Sequence, residues 1–437
     1  LVQAAGVLWF ALTAFLAAPL AAEEAPVEIL FTGVRVFDGT SETLSAPTDV
    51  LVRGNVIAAI GKVVAPTGRD VTVIAGRGRT LMPGLIDNHV HMMFNSLSPA
   101  QMTHPDMGFE QVMRQSAEQA RLMLLRGFTS VRDVGGPSFE LKRLIDSGKV
   151  AGPRIWPSGP MISQTSGHAD LRLPDEPSRR FTGKIPRAEQ VWASVIADGR
   201  PEVLTAVREN LRLGASHIKL AAGGGTTSTY DPLDVTQYTL DEMKAAVDAA
   251  SDWNTYVTVH AYHPKSVRRA IAAGVEVIEH GNLLDEDTLR LMADKGIWLS
   301  AQMLVDSTEA MAPKRREKRK PLIEGQKRVW PMAKRLGVKL AWGTDFLFEP
   351  TLNQEQNAYL LRLEPYFTPA ELLRLATHDN AQLLALSGPR SPYEGRLGVV
   401  VVGALADLIL VNGDPLADID LIADPARNFA VIMKDGR

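Results

Sequence analysis

Two histidines separated by one residue are the first candidates for chemistry in this chain. His89 and His91 end the apolar run LMPGLIDNHVH at residues 81–91, which has the composition of a buried β-strand. Side chains two positions apart on a strand point to the same side, so the two imidazoles converge while Val90 faces away. Such a pair at a strand end is a common start of a zinc site. The alternative is two unrelated histidines beside a loop.

The following segments alternate between short apolar runs and amphipathic stretches, which predicts a repeating strand–helix order. Eight such units are expected within residues 81–386, the last helix being TPAELLRLATHDNAQLLAL. This order predicts an α/β fold whose parallel strands close as a (β/α)8 TIM barrel. The active site of that fold lies at the carboxyl ends of the strands, so polar residues at those ends are the candidates.

Polar residues stand at five of these predicted strand ends. The expected site residues there are His89, His91, Lys219, His260, His280 and Asp345. The loop SGHAD at 166–170, after the third strand, adds His168, and the loop after Lys219 adds Tyr230. Random placement of nine histidines would seldom put four of them at one rim, so the sequence predicts a metal site.

Both chain ends predict short β-strands. Residues 23–80 and 387–437 contain Val- and Ile-rich runs broken by Asp-Gly and Arg-Gly-Asn turns, which favour hairpins. Each end is too small to bury a core by itself. We therefore expect one small composite β-sandwich, built from both ends, beside the barrel.

The composition excludes some site types and indicates a location. The chain has 437 residues, a formal net charge of -3 and no cysteine, so thiolate metal sites are excluded and nothing points to nucleic acid. Residues 1–22 are apolar, lack charged side chains and precede Glu23 and Glu24. This pattern is typical of a secretory signal peptide, with an uncleaved membrane anchor as the alternative. We expect a periplasmic or secreted protein.

These motifs resemble the amidohydrolase superfamily. The matching segments are DNHVH at 87–91, HIK at 217–219, VHA at 259–261, EHG at 279–281, GTD at 343–345 and GALADL at 403–408. Within the superfamily the chain is similar to the binuclear-zinc dipeptidase and prolidase-like branch. It is also similar to bacterial amidohydrolases that split the phenylalanine amide of ochratoxin A.

The resemblance implies two zinc ions per chain. His89 and His91 would bind the more buried ion together with Asp345. His260 and His280 would bind the other ion. Two zinc ions lower the pKa of a shared water, so that hydroxide exists near pH 7 as the nucleophile.

Lys219 needs a separate explanation as a ligand. An ammonium group beside two dications is repelled and loses its proton. The neutral amine can then take up carbon dioxide, and the resulting carbamate is an anion with two oxygens that can bridge both metals. A surface lysine is a poor alternative because Lys219 follows Ile218 inside an apolar strand. We therefore expect N6-carboxylated Lys219.

Three further side chains are expected to act on the substrate. Asp345 would accept the water proton and deliver it to the leaving nitrogen. His168 would contact a substrate carbonyl or carboxylate, and Tyr230 would donate to the developing oxyanion. The alternative for His168 and Tyr230 is an ordinary loop residue. Tyr262 stands where relatives often carry a second histidine, which leaves its role open.

The predicted activity is zinc-dependent hydrolysis of the amide bond in a small N-acyl amino acid or dipeptide with a free carboxylate. Ochratoxin-like aryl amides fit this class. A cyclic-amide hydrolase of the imidazolonepropionase kind is the alternative, but those enzymes typically use one metal and lack the bridging lysine. The basic run KRREKRK at 314–320 indicates a solvated helix face, or a surface that attracts carboxylates. The resemblance also implies a homo-oligomer, such as an octamer.

Overall fold

The computed structural model describes residues 27–62, 71–98, 101, 107–305, 307 and 311–437. The predicted signal peptide at residues 1–22 lies outside them. No helix in these ranges combines the length and the apolar character that crossing a bilayer would require.

The strands of the described residues are β1 (Glu28–Val36), β2 (Thr48–Arg53), β3 (Val56–Gly61), β4 (Val71–Ala75), β5 (Thr80–Pro83), β6 (Leu85–Val90), β7 (Phe128–Asp133), β8 (Arg154–Pro157), β9 (Met161–Ser163), β10 (Ser194–Ile196), β11 (Ile218–Ala221), β12 (Val257–Ala261), β13 (Val277–His280), β14 (Trp298–Ala301), β15 (Lys339–Trp342), β16 (Leu408–Val411) and β17 (Phe429–Met433).

The α-helices are α1 (Phe109–Leu125), α2 (Phe139–Asp146), α3 (Arg179–Thr182), α4 (Arg187–Gln190), α5 (Arg200–Arg212), α6 (Leu240–Ser251), α7 (Pro264–Ala273), α8 (Glu286–Lys295), α9 (Pro313–Arg335), α10 (Gln356–Leu361), α11 (Pro369–Arg374), α12 (Asn380–Leu384) and α13 (Pro425–Asn428). Short 3-10 turns cover Pro350–Glu355, Ala385–Arg390 and Ile419–Ile422, and a π-helical turn covers Leu375–Asp379.

Local sequence signals account for several helix ends. Thr239 forms a reciprocal capping box with Glu242 at the start of α6, and the carboxylate of Asp285 accepts from the amide of Thr288 in the first turn of α8. Helices α7 and α8 stop at Gly274 and Gly296, which take φ values of 99° and 66° that glycine adopts without strain. These signals set the start of α6, the end of α7 and both ends of α8.

Both chain ends meet in one mixed sheet with the order β17-β16-β5-β1-β2-β3, and β4 pairs with β1. One hydrophobic cluster joins the two ends, with Phe31 and Val50 from the first and Leu408 and Met433 from the second. The predicted union of the two ends therefore exists as a shared sheet. The two-layer sandwich, and the domain boundaries drawn from it, stay predictions.

The central part of the chain forms an α/β fold with two parallel sheets, β6-β7-β8 and β10-β9-β11-β12-β13-β14-β15. Asp345, after β15, donates its amide to the carbonyl of His89 at 2.8 Å, so the last strand end lies beside the first. This arrangement is consistent with the predicted TIM barrel. The strand ladders, however, form two sheets and not one closed ring.

Two predicted strands are divided in the structure. The run 81–91 is not one strand, because residues 80–83 pair with β1 and β16 and the chain crosses to the parallel sheet at Gly84. A side chain at Gly84 would collide with Thr129, so only glycine fits this crossing. The predicted third strand breaks into β8 and β9 at Gly159, which takes φ 75°. Backbone turns thus override the continuous apolar pattern.

Arg154 connects the parallel β6-β7-β8 sheet to the terminal sheet. Its Nε lies 3.1 Å from Asp407 Oδ2, and its Nη2 lies 2.7 Å from Asp435 Oδ1. Arg154 and Asp407 are 6% and 4% exposed, and the amide of Asp435 also donates to Asp407 at 2.8 Å. The aspartate of the GALADL motif therefore acts as the buried counter-ion that joins the two sheets.

We predict that Arg154→Ala lowers the free energy of unfolding by about 3–5 kcal/mol, because it leaves Asp407 buried without its cation. Arg35→Ala is the matched control, since its pair with Asp414 is 39% and 30% exposed and should contribute less than about 1 kcal/mol. Urea unfolding followed by circular dichroism measures both variants. Equal losses in the two variants would contradict this role of Arg154.

Candidate metal centre

Neighbouring strand ends bring the predicted ligands to one pocket. The register pairs Ala221 with His260 and Ala261 with His280, so the ends of β11, β12 and β13 are level. All six predicted ligands line this pocket, together with His168, and the full set is His89, His91, His168, Lys219, His260, His280 and Asp345. The fold thus brings together residues that are up to 256 positions apart in the chain.

The carboxylate of Asp345 stands at the centre of the cluster. Its Oδ1 lies 3.3 Å from the Nε2 atoms of both His89 and His91, and its Oδ2 lies 3.8 Å from Nδ1 of His280. Asp345 and His280 take φ values of 51° and 74°, which non-glycine residues seldom adopt. Such strain is a frequent property of functional sites, where the surrounding structure holds it.

A buried ion pair orients His89. Glu279 Oε2 accepts from Nδ1 of His89 at 2.7 Å, and Glu279 Oε1 accepts from Arg132 Nη2 at 2.5 Å. Burial alone would raise the pKa of Glu279, but Arg132 and His89 hold it well below its usual range. The ionised Glu279 therefore keeps the proton of His89 on Nδ1 and turns Nε2 toward Asp345.

His91 is held in the same tautomer by the backbone. Its Nδ1 donates to the carbonyl of Gly135 at 3.1 Å, which leaves Nε2 facing Asp345. Burial lowers the pKa of His91, so this imidazole is neutral and presents a lone pair to the carboxylate. Two acceptors that face each other at 3.3 Å repel unless a cation lies between them, so the donor set fits a metal ion.

The ligand atoms of His89, His280 and Asp345 lie within 4.8 Å of one another, so these three side chains can hold a metal ion. The sequence predicts that His89 and His280 bind different ions, whereas this group contains both of them. Asp345 is the shared member, because its two oxygens face different histidines. A carboxylate placed in this way can contact two neighbouring ions.

His260 and His168 form a second, stacked layer. Their rings lie 3.8 Å apart at 16°, and the ring of His260 lies 4.4 Å from that of His280. The Nε2 of His260 lies 3.1 Å from the carbonyl of Gly224, and burial lowers the pKa of His260 well below its usual range. A neutral His260 that donates through Nε2 keeps Nδ1 as a lone pair. His168 Nδ1 contacts Ser228 Oγ at 2.8 Å.

Lys219 reaches the pocket from β11. It is 2% exposed, and burial lowers its pKa to about 8, against the opposing influence of Glu279 and Asp345. Near pH 8, a substantial fraction of the molecules therefore carries Lys219 as the neutral amine. His217, two residues earlier, stacks on Tyr256 with ring centroids 5.5 Å apart and does not line the pocket.

Of the two tyrosines named in the sequence analysis, Tyr262 and not Tyr230 contacts the histidines of the pocket. Tyr230 does not line the pocket; it is 36% exposed and its hydroxyl donates to the carbonyl of Arg172 at 2.9 Å. Tyr262 lies inside instead, with its ring 4.8 Å from His260 and 5.2 Å from His280. The signal for Tyr262 was its position two residues after His260, whereas the loop conformation that removes Tyr230 leaves no local pattern.

The remaining pocket wall combines apolar side chains with two arginines. The apolar residues that line it are Phe94, Met161, Leu171, Leu304, Phe346, Leu347, Phe348, Leu352 and Tyr359. Arg315 and Arg319, from the basic run on α9, also line it, together with Thr226, Thr227, Thr344 and Glu349. The expected solvated helix face is therefore wrong for Arg319, which is 4% exposed. Its spacing from Leu322, three residues on and fully buried, could have shown an inward face.

Comparison with known proteins decides the family. Residues 80–437 match the amidohydrolase family. The chain belongs to the amidohydrolase family. An ochratoxinase of Aspergillus niger is 31% identical over 421 residues, which cover 92% of this chain and 85% of the relative.

Two solved structures are similar to this chain over almost its whole length. A prolidase complexed with N-methylphosphonate-L-proline is 32% identical, with a TM-score of 0.84 over 94% of this chain and 99% of that one. A Xaa-Pro dipeptidase with bound methionine is 29% identical, with a TM-score of 0.79 over 94% and 98%. The predicted branch is confirmed, and this amidohydrolase is a hydrolytic enzyme that acts on C–N bonds.

We predict that Glu279→Gln weakens zinc binding by about 10–100-fold, because a neutral amide no longer holds the proton of His89 on Nδ1. The melting temperature should also fall, since the buried Arg132 loses its counter-ion. Competition with a chromogenic chelator measures the affinity.

Glu276→Gln is the control, because Glu276 is exposed at the amino end of the same strand. Zinc affinity that is equal in Glu279→Gln, Glu276→Gln and wild type would argue against the orienting role of Glu279.

Proposed function

We propose that this chain is a dizinc amidase or peptidase that cleaves small N-acyl amino acids or dipeptides with a free carboxylate. Phenylalanine amides of the ochratoxin A type are included in this class. The observation that carries the proposal is the buried convergence of four histidines, Lys219 and Asp345 in one pocket with apolar and cationic walls. The ochratoxinase, prolidase and dipeptidase relatives support the same substrate class.

The residues divide into two ligand groups that share Lys219. His89, His91 and Asp345 would hold one zinc ion, and His260 and His280 the other. Zinc, when bound, supplies a water of lowered pKa and polarises the carbonyl of the substrate. The tautomers of His89 and His91 support this assignment, because each presents Nε2 to Asp345.

Lys219 would bridge the two ions as a carbamate. The neutral amine attacks carbon dioxide, the new N–C bond forms, and the amine proton leaves to solvent. Burial supports this step, because it lowers the pKa of Lys219 to about 8 and so supplies the nucleophilic amine. The product carries one negative charge, which offsets the positive charge of a dinuclear centre.

Asp345 would move the proton during hydrolysis. Burial raises its pKa, but the nearby His89 and His91 hold it well below its usual range, so Asp345 is an ionised carboxylate. It would take the proton of the attacking water and deliver it to the leaving nitrogen. His168 would contact the substrate. Tyr262, whose pKa burial raises, keeps its phenol proton and would donate a hydrogen bond to the oxyanion in the place expected for Tyr230.

Several broader features are part of the same proposal. The two parallel sheets would form one TIM barrel, and the terminal sheet would belong to a β-sandwich. Export through the segment at residues 1–22 and assembly into a homo-oligomer remain predictions from the sequence.

We predict that Lys219→Ala lowers zinc content from about two ions per chain and reduces kcat/KM at least about 100-fold, because the bridging anion is lost. Added acetate should restore part of the activity, since a small carboxylate fits the space of the deleted side chain and supplies two oxygens. Lys244→Ala, at an exposed position of α6, is the control and should match wild type. Full activity of Lys219→Ala would exclude the carbamate.

A substrate panel tests the reaction class directly. Wild type should release the carboxylate-bearing amino acid from ochratoxin A, carbobenzoxy-amino acids and dipeptides, because the pocket combines the hydrolytic cluster with apolar and cationic walls. Chromatography of the released amino acid measures each rate. Turnover of cyclic amides alone would instead identify a hydrolase of the imidazolonepropionase kind.

A further inference from the structure

Helix α9 turns two arginines toward the pocket, and they differ in how their charge is balanced. Arg315 and Arg319 are four residues apart and therefore lie on one helix face. Arg315 Nη2 lies 2.6 Å from Glu349 Oε1, and both side chains are 20% exposed, so this charge is paired at the pocket edge. Arg319 is 4% exposed and makes no salt bridge with any carboxylate in the described ranges.

The guanidinium of Arg319 has unused hydrogen-bonding capacity. Its Nη2 donates to the carbonyl of Val305 at 2.8 Å, whereas its buried Nε finds no partner among the described residues. A buried cation without a counter-ion is costly to maintain. The cost is offset when an anionic ligand enters the pocket and completes the hydrogen bonds.

Arg319 lines the same pocket as the candidate metal ligands. Tyr262, whose ring lies beside His260 and His280, and Tyr359, on the apolar wall, line it too. The guanidinium of Arg319 therefore shares one pocket with the candidate metal ligands and with the apolar wall.

Lys318 anchors helix α9 to the loop whose residues contact His168. Its Nζ donates to the carbonyls of Gly225, Ser228 and Asp231 at 2.9, 3.1 and 2.7 Å. Ser228 and Asp231 in turn contact His168. Helix α9 is thus anchored to that loop, and Arg319 on the same helix is buried and bonded to the carbonyl of Val305.

We propose that Arg319 binds the carboxylate of the substrate and so determines the preference for amides of free amino acids. This inference rests on the proposed function and names the residue responsible for its carboxylate requirement. A guanidinium offers a planar pair of donors to a carboxylate, a geometry that lysine or a neutral side chain does not reproduce. The carboxylate and the scissile carbonyl of one small substrate would reach Arg319 and the metal ligands together.

The apolar wall of the pocket also indicates which side chain the substrate would carry next to its carboxylate. Tyr359 packs edge-on against Phe346 with ring centroids 4.7 Å apart, and Phe94 lies 6.2 Å from Phe348. Leu352 completes this wall of the pocket. The residue released by hydrolysis would therefore carry a large apolar or aromatic side chain.

The test compares carbobenzoxy-phenylalanine with its C-terminal amide, which has the same shape but no charge. Wild type should prefer the acid by at least about 30-fold in kcat/KM, the range of one charge-assisted hydrogen-bond pair. In Arg319→Gln this ratio should fall to within about threefold of unity, mainly through KM. Arg319→Lys should give an intermediate ratio, because it keeps the charge but loses the second donor.

Arg328→Gln, at an exposed position of the same helix, is the control for the substitution and should keep the wild-type ratio. Zinc content and melting temperature of every variant show that the fold and the centre are intact. If Arg319→Gln fails to fold, the ratio in Arg319→Lys decides, and an unchanged ratio overturns the proposal.

The outcomes separate this inference from the proposed function. A wild-type ratio in a folded Arg319→Gln variant, or no acid preference in wild type, overturns the role of Arg319 while amide hydrolysis stands. Failure of zinc-loaded wild type to hydrolyse any acyclic amide of the panel overturns the proposed function, and this inference with it.

Discussion

The position of one carboxylate oxygen between two imidazoles is the constraint on which the centre depends. The Nε2 atoms of His89 and His91 both lie 3.3 Å from the same oxygen of Asp345. Contacts of the opposite ring nitrogens with Glu279 and with the carbonyl of Gly135 orient the two rings. The strand ends that carry these side chains must stay level to keep the three atoms together.

The charge that orients the centre comes from deeper in the fold. Arg132 on β7 is fully buried and compensates Glu279 on β13, and Thr258 on β12 also donates to that carboxylate. Three strands therefore contribute to the position of one imidazole. This explains why a large parallel sheet is required for a site of a few atoms, since loops alone would not hold the ring of His89.

The pocket lining comes from two kinds of element. The candidate metal ligands stand on or just after strand ends, whereas Arg315 and Arg319 come from α9 and the apolar side chains come from β9 and from the segments after β6, β9, β14 and β15. Lys318 joins the helix to the loop after β11 through three carbonyl groups, so the two halves are connected mechanically. Relatives that act on different C–N substrates can share the first half and differ in the second.

The sequence by itself determined the α/β class, the family and the set of residues that meet at the rim. Periodicity locates strand ends, and parallel strands bring their ends together wherever they lie in the chain. Only the tertiary structure decided that Tyr262 and not Tyr230 faces the histidines, that Glu279 and Arg132 orient His89, and that Arg319 is buried and has no carboxylate partner among the described residues. These features depend on loop conformations and on contacts between distant strands, of which the chain carries at most a weak local pattern.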